Sequence, residues 1–284
     1  MSENKKIRVI INADDLGYNL EINRQIENGI RKGVITSSTL MANAPGFEDG
    51  VRIAKQYNQI SVGIHLNLVE YTPLTNYEIF KKNGIVGDDG SFINGAIFVT
   101  PINDELKQAI YEEWDAQISR MENSGLIPTH ADSHQHTHTI MELQDVLCGI
   151  LKKHKIAKVR RKIVPSLRKM IWGSKNIKVV IDKKNAVQPP KRNVIYRRWH
   201  LIVVKLQGWQ WNTAMSKHFI MSNQFYSFRD FYSNRSLLRL GGKNTVIELM
   251  CHPGQKAFQQ ETEILIQDKS WLPYDYQLIN YNQL

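Results

Sequence analysis

The chain has 284 residues, 42% of them hydrophobic and 23% charged, with a net charge of +10. That length can bury a large core, and the balance is that of a folded globular protein, which excludes a disordered or fibrous chain. No apolar run approaches a membrane span, the apolar run at 7–11 is too short for a signal-peptide core, and Cys148 and Cys251 form no C-x-x-C pair or disulfide framework, so the expectation is a cytoplasmic protein without membrane contact.

In chain order, the β-branched run 7–12 predicts a buried strand. Ile22, Ile26 and Ile30 repeat at a helical period up to Gly33, which reads as a helix stop. Residues 34–41 predict a second strand. A helix follows over 46–57, with Val51, Ile53 and Ala54 as its apolar positions, and then a third strand over 60–66 that carries His65. Gly, Asn and Asp signals fill 67–100, which reads as a long loop. An amphipathic helix is expected over 104–123, a strand over 128–134, a helix over 141–154 and a short strand over 156–160. Residues 199–218 suit a helix whose Trp199, Trp209 and Trp211 read first as core side chains. A strand over 223–228, a helix over 231–240, a buried strand over 245–251 and a last strand over 276–282 complete the series. Alternating strands and helices argue for a parallel sheet wrapped by helices. With no internal repeat or linker, one domain over 1–284 is expected, with an excursion at about 161–220.

The charge is uneven. Between Lys152 and Lys205 stand 18 Lys or Arg residues against one acid, Asp182. Such a stretch reads first as a solvated excursion. The alternatives are an anionic polymer, the acidic remainder of the chain or a partner subunit as its counterpart.

Four polar clusters stand at strand ends. Asp14 and Asp15 follow the first strand, where two adjacent buried acids are costly without a cation. A turn at Leu16-Gly17 is expected to bring both toward one cavity; the alternative is that Asp15 or Asn19 caps the next helix. His65 ends an apolar strand, as a metal ligand or as a core histidine. Asp132, His134, His136 and His138 share one face if a strand runs through them. Imidazole and carboxylate together are a usual divalent-metal set, against a fortuitous His-rich loop. His252 precedes the Pro253-Gly254 turn, as a structural histidine or as an acid/base group at the carboxyl edge of a sheet. In an α/β barrel all four clusters converge on one rim, and the combination points to a metal-dependent hydrolase. No G-x-S-x-G elbow and no P-loop is present.

The segments NADDLG, GVITSSTLMAN, VGIHLNL, THADSHQHTH, the Val159-Arg160 pair and ELMCHPG stand in an order that resembles the YdjC-like carbohydrate deacetylase family, over roughly 7–160 and 244–254. The resemblance implies an irregular, TIM-barrel-like (β/α) barrel of mostly parallel strands. It implies hydrolysis of N-acetyl groups on amino sugars such as chitin-derived oligosaccharides. Asp15, His65 and His134 are implied as ligands of one divalent metal ion. That ion is Mg²⁺ by the resemblance, although two His and one Asp suit Zn²⁺ at least as well. Asp14 is implied as general base and His252 as general acid. His136 and His138 would sit beside the ligands or face substrate, Arg160 would orient Asp14, and Asn67 and Glu248 would act as supports. The chain departs from the pattern in the basic 161–220 stretch and in the weak Tyr- and Arg-bearing stretch from Gln255 to Leu265, both of which shape substrate choice. Two other readings stand beside it: the same constellation acting on a phosphoester or a non-sugar amide, and, ranked last, nucleic-acid binding through 152–205. A small oligosaccharide is the expected partner, and a homodimer is left open.

Overall fold

The structure, a computed structural model of the chain, describes residues 7–164, 194–234, 245–267, 271–272 and 276–284. Strand β1 (Ile7–Leu16) stands at the centre of the sheet. It runs parallel to β2 (Ser37–Leu40) on one side and to β6 (Val246–Cys251) on the other. Beyond β2 lie β3 (Ser61–Leu66) and β4 (Ala131–Ser133), and beyond β6 lies β5 (Gln224–Ser227), all parallel. A further strand, β7 (Tyr276–Leu278), pairs with β1 along Ile7–Val9, whereas β2 pairs with it from Asn12 onward. The sheet order β4-β3-β2-β1-β6-β5 curls into a half barrel, as expected for a (β/α) barrel. From the β4 edge the chain continues through single bridges, Val159 to Ala131 and Lys158 to Ile220. The strand expected over 156–160 reduces to these bridges, because the chain there meets each neighbour at one residue.

Alternation sorts the side chains of β1. Val9, Ile11 and Ala13 join the main apolar core together with Ile22, Ile26 and Ile30 of helix α1 (Leu20–Arg31). Burying each isoleucine stabilises the fold by about 1.5–3 kcal/mol. Ile10, Asn12 and Asp14 occupy the opposite face, inside the barrel. Ile10 packs there with Val246, Ile279 and Tyr281 in a separate cluster at the barrel floor. Asn19 caps α1 by accepting the Ile22 N–H at 2.9 Å, which frees Asp15 from that role.

Helices α2 (Phe47–Gln56) and α4 (Asp104–Asn123) lie where the sequence places them. Between them, the expected loop contains α3 (Tyr77–Lys82), anchored by Phe80 against Phe92 with ring centroids 5.4 Å apart. The dense turn residues around this short helix hide its apolar anchor. The chain continues through α5 (Gln144–Lys153), α6 (Val194–Met215), α7 (Phe228–Asn234) and α8 (Gln259–Gln267). On α6, Trp211 is buried as expected, whereas Trp209 is 68% exposed. The Trp199 side chain, most of the basic stretch (165–193) and the second half of the helix expected over 231–240 lie outside the described residues. No helix among the described residues is long and apolar enough to cross a membrane.

Candidate metal centre and active site

The site begins at the carboxyl end of β1. The register of β1 shifts between Ala13 and Leu16, and Asp15 adopts a left-handed conformation with φ 70°. This bulge, together with the turn that closes over Leu16 and Gly17, brings Asp15 into the same cavity as Asp14. A left-handed residue with a Cβ costs about 1–3 kcal/mol and persists where its surroundings hold it. Here they do: the Asp15 carbonyl accepts the Tyr18 N–H at 3.0 Å, and its carboxylate meets His134, His65 and Gln255.

β4 ends at Ser133, so the shared strand face expected for Asp132, His134, His136 and His138 does not form. Gln135 and His136 are left-handed (φ 51° and 61°) within a 3-10 turn over His134–Thr139. The Ser133 hydroxyl closes this turn by accepting the His138 N–H at 2.8 Å, with His138 Nδ1 2.6 Å away. The three histidines therefore diverge. His134 reaches Asp15. His138 is tied down between Ser133 and the Arg160 carbonyl, 3.3 Å from its Nε2. His136 lies edge-on to Phe225 at 5.9 Å, its Nδ1 without a hydrogen-bond partner among the described residues.

Asp15, His65 and His134 converge and are buried. Asp15 Oδ1 lies 3.2 Å from His65 Nε2 and 2.9 Å from His134 Nδ1. Donors bound to one cation at about 2.0–2.2 Å stand about 3 Å apart, so the group has the dimensions of a metal site. Asp132, instead of sharing a face with the histidines, stands behind His65: its Oδ1 accepts the Nδ1 proton at 2.6 Å, while Thr39 donates to its Oδ2 at 3.1 Å. This fixes the imidazole with Nε2 toward Asp15, as a metal-ligating histidine would be held. Glu70 Oε2 stands 3.6 Å behind His134 Nε2. Gln255 Nε2 donates to the second Asp15 oxygen at 3.0 Å.

Charge supports the same fit. Burial lowers the proton affinity of His65 and His134, but Asp132 and Asp15 respectively outweigh it and push their pKa values up to about 10 and about 9. Such imidazoles sit in a cavity short of positive charge. Asp14 and Asp132 share a single guanidinium, that of Arg160, while burial pushes the Glu248 carboxyl up. By contrast, burial and then Arg160 hold His136 down to about 3, and burial followed by His136 and Arg160 keeps His138 low as well.

Arg160 is wholly buried and ties together the acids around Asp14. Its Nη1 and Nη2 donate to the two Asp14 oxygens, each at 2.7 Å. Nη1 also lies 2.6 Å from Asp132, and Nε donates to Glu248 Oε1 at 2.6 Å. Against the upward push of burial, Arg160 holds the Asp14 carboxyl well below the usual range. A second buried acid and imidazole group, Asp14, His65 and Asp132, is thus already supplied with the cation of Arg160. Asn12 donates to Asp14 Oδ1 at 2.9 Å and presents its own oxygen to His130 Nε2 at 3.2 Å. His130 in turn stacks on Tyr281, with ring centroids 3.6 Å apart.

His252 follows β6 and stacks on Phe258 at 4.4 Å. Its N–H donates to Glu261 Oε1 at 2.8 Å, and its Nδ1 lies 3.8 Å from that oxygen. Burial depresses the imidazolium, but Glu261, Asp14 and Asp15 together raise its pKa. Asn67 stays clear of the cluster. Its Oδ1 accepts from the Val69 and Glu70 N–H groups and its Nδ2 donates to the Glu70 carbonyl, building the turn that presents Glu70. Glu70, Gln255 and Glu261 are site residues that sequence reasoning does not find. Glu70 and Gln255 sit in loops without periodicity, and Glu261 is masked by an ordinary helical pattern.

A family model described as YdjC-like protein matches residues 8–278. A carbohydrate deacetylase of Clostridium beijerinckii is 33% identical over 150 residues, covering 53% of this chain and 58% of that protein. One of Geobacillus stearothermophilus is 38% identical over 130 residues, covering 45% and 49%. The matched stretch thus spans about half the length of these two curated relatives. A carbohydrate deacetylase of Xenopus laevis is 26% identical over 270 residues, covering 92% of this chain and 85% of its own. The crystal structure of an Enterococcus faecalis protein, named for cellobiose-phosphate cleavage, matches with a TM-score of 0.61 and 20% identity over 98% of both chains, a likeness of fold. On the family match, which runs from β1 to β7, the chain belongs to the YdjC-like protein family.

Proposed function

We propose that the protein is a metal-dependent N-deacetylase of acetylated amino sugars, of which diacetylchitobiose is the simplest chitin-derived example. The observation that carries this reading is the juxtaposition of the buried Asp15, His65 and His134 triangle with an acid held by Arg160, Asp14, and with His252. The relatives named as carbohydrate deacetylases support it.

Asp15, His65 and His134 would hold the ion. When bound, a divalent ion supplies a Lewis acid that polarises the acetyl carbonyl and acidifies a water. Mg²⁺ follows from the resemblance; two imidazoles also suit Zn²⁺. Asp14 accepts the proton of the attacking water. Its two bonds to Arg160 keep it ionised and aimed, and they also weaken it as a base, so it acts on a water whose acidity is already raised. Water adds to the carbonyl carbon, the C–N bond breaks, and His252 gives its proton to the departing nitrogen. The raised pKa of His252 keeps that proton available. The products are acetate and a free amine.

Acetate release from N-acetylated mono-, di- and trisaccharides with Mg²⁺ or Zn²⁺ tests this reading. His65→Ala and His134→Ala are expected to lose bound metal and activity together. Asp14→Asn is expected to retain metal and lose about 10²–10⁴-fold in kcat. Full activity of Asp14→Asn would remove the proposed base, and no acetate from any amino sugar would turn the assignment toward a different amide or ester.

A further inference from the structure

We infer that the outward face of α6 is a docking surface for an anionic lipid bilayer, on which the helix lies without crossing it. Over its described side chains this helix is apolar on both sides. Gly208, Trp211 and Met215 face inward and are buried. Ile202, Leu206 and Trp209 recur at i, i+4 and i+7, which sets them in one stripe along the opposite side. That stripe meets solvent: Leu206 is 61% exposed, and Ile202, Val203 and Trp209 are exposed beside it. Apolar residues scattered singly over a surface need no explanation, but a contiguous row marks a contact, and a helix apolar all round is normally covered on every side. The helix cannot turn the stripe inward. Asn212 accepts the Lys162 N–H at 3.0 Å and donates to the Lys162 carbonyl at 3.1 Å. Val164 packs so closely that a Cβ at Gly208 would stand 3.0 Å from it. Trp211 lies edge-on to His138, with ring centroids 5.7 Å apart.

Charge selects the occupant. The sequence of α6 contains Arg197, Arg198 and Lys205 but no Asp or Glu, and the chain holds no acid at all between Asp182 and Asp230. Cations beside an apolar stripe are the make-up of a helix that lies in the headgroup region, with its apolar side chains toward the acyl boundary and its cations among the lipid phosphates. Trp209 suits that boundary, because an indole joins a large apolar ring to one N–H for the headgroups. A nucleic acid would answer the charge but leave Ile202, Leu206 and Trp209 in water. A second copy of the chain would set the same acid-free helix against the first, like charge against like. The sequence expectation of no membrane contact rests on the lack of a spanning segment, which a helix lying in the interface does not require.

The test is co-sedimentation of the full chain with vesicles of phosphatidylcholine alone, or of equimolar phosphatidylcholine and phosphatidylglycerol. Binding to the anionic vesicles is expected, stronger than to the neutral ones and weakening as salt is raised. Leu206→Gln and Trp209→Gln are each expected to lower the affinity roughly tenfold or more, since each removes a large apolar side chain from the contact. Ile127→Gln changes an equally exposed apolar residue outside α6 and is expected to leave the affinity unchanged. All three positions are exposed, so each variant is expected to keep the parental melting temperature. Brominated acyl chains are expected to quench part of the tryptophan fluorescence of the parent, and less of it in Trp209→Phe, which reads insertion separately from affinity. No binding to anionic vesicles would overturn the inference. So would binding that Leu206→Gln and Trp209→Gln leave unchanged, which would assign the attraction to charge alone. A dimer that Leu206→Gln dissociates, without any vesicle binding, would give this face to a second copy instead.

Discussion

Arg160 shows how much of this site rests on one side chain. Three carboxylates surround it without solvent: Asp14, Asp132 and Glu248. Removing one partner from a buried ionic set leaves the others uncompensated, which costs about 3–5 kcal/mol. Arg160→Ala is therefore expected to lose that much stability in urea or guanidinium unfolding; a loss under about 1 kcal/mol would mean that another group neutralises the acids. Glu261 offers a subtler test. It raises the pKa of His252, so Glu261→Gln lowers it. The protonated imidazole is then lost at lower pH, and the alkaline limb of the kcat profile shifts downward, while the glutamine oxygen still accepts the His252 N–H. An unmoved limb would separate Glu261 from the acid. At this scale, Asp14, Asp15, His65 and His252 stand out in the sequence as polar residues at the end of apolar runs, and His134 through the His-rich tract around it. Glu70, Gln255 and Glu261 do not, since their importance comes from what folds against them.

Elements divide along the same line. α4 is legible to the residue because Asn103 caps it and its apolar stripe is continuous. The His-rich segment misleads because its alternation mimics a strand, while the Ser133 hydroxyl imposes a left-handed turn. The polar lining of the barrel is equally hidden: Asn12, Thr39 and Asp132 look like interruptions of strands until the sheet curls and places them together. Gly63 in β3 makes room for this interior. A Cβ there would meet the His130 carbonyl at 2.5 Å and its ring at 2.6 Å. Neither a backbone oxygen nor a stacked ring yields readily, so Gly63→Ala is expected to cost about 1–3 kcal/mol. The same change should disturb the bond between Asn12 and His130, and thermal unfolding with kcat on one sample would register both effects. An alanine variant with parental stability would show that His130 can move.

For the whole molecule, the curled sheet brings Asp15, His65 and His134 from β1, β3 and the turn after β4 around one point, so an ion bound there would cross-link distant segments. Anything that binds the native but not the unfolded chain stabilises it, by about 2.7 kcal/mol at a hundredfold excess over Kd. Adding Mg²⁺ or Zn²⁺ to the chelated protein is expected to raise Tm, with no rise in a variant lacking both His65 and His134. The fold class was legible from alternating strands and helices. The pairing of β7 was not, because three residues between loops carry almost no periodic signal.

The three-way pairing of β1 has a consequence for synthesis. Its neighbours on the β6 and β7 sides begin at Val246 and Tyr276, more than two hundred residues downstream. While the ribosome works through the interval, the edge of an apolar strand stays open to any stray strand it meets. Contacts this remote in sequence are slow to form. The nascent chain therefore invites chaperone attendance until β6 emerges, and the aspartates at the far end of β1 reach their final places late in its maturation.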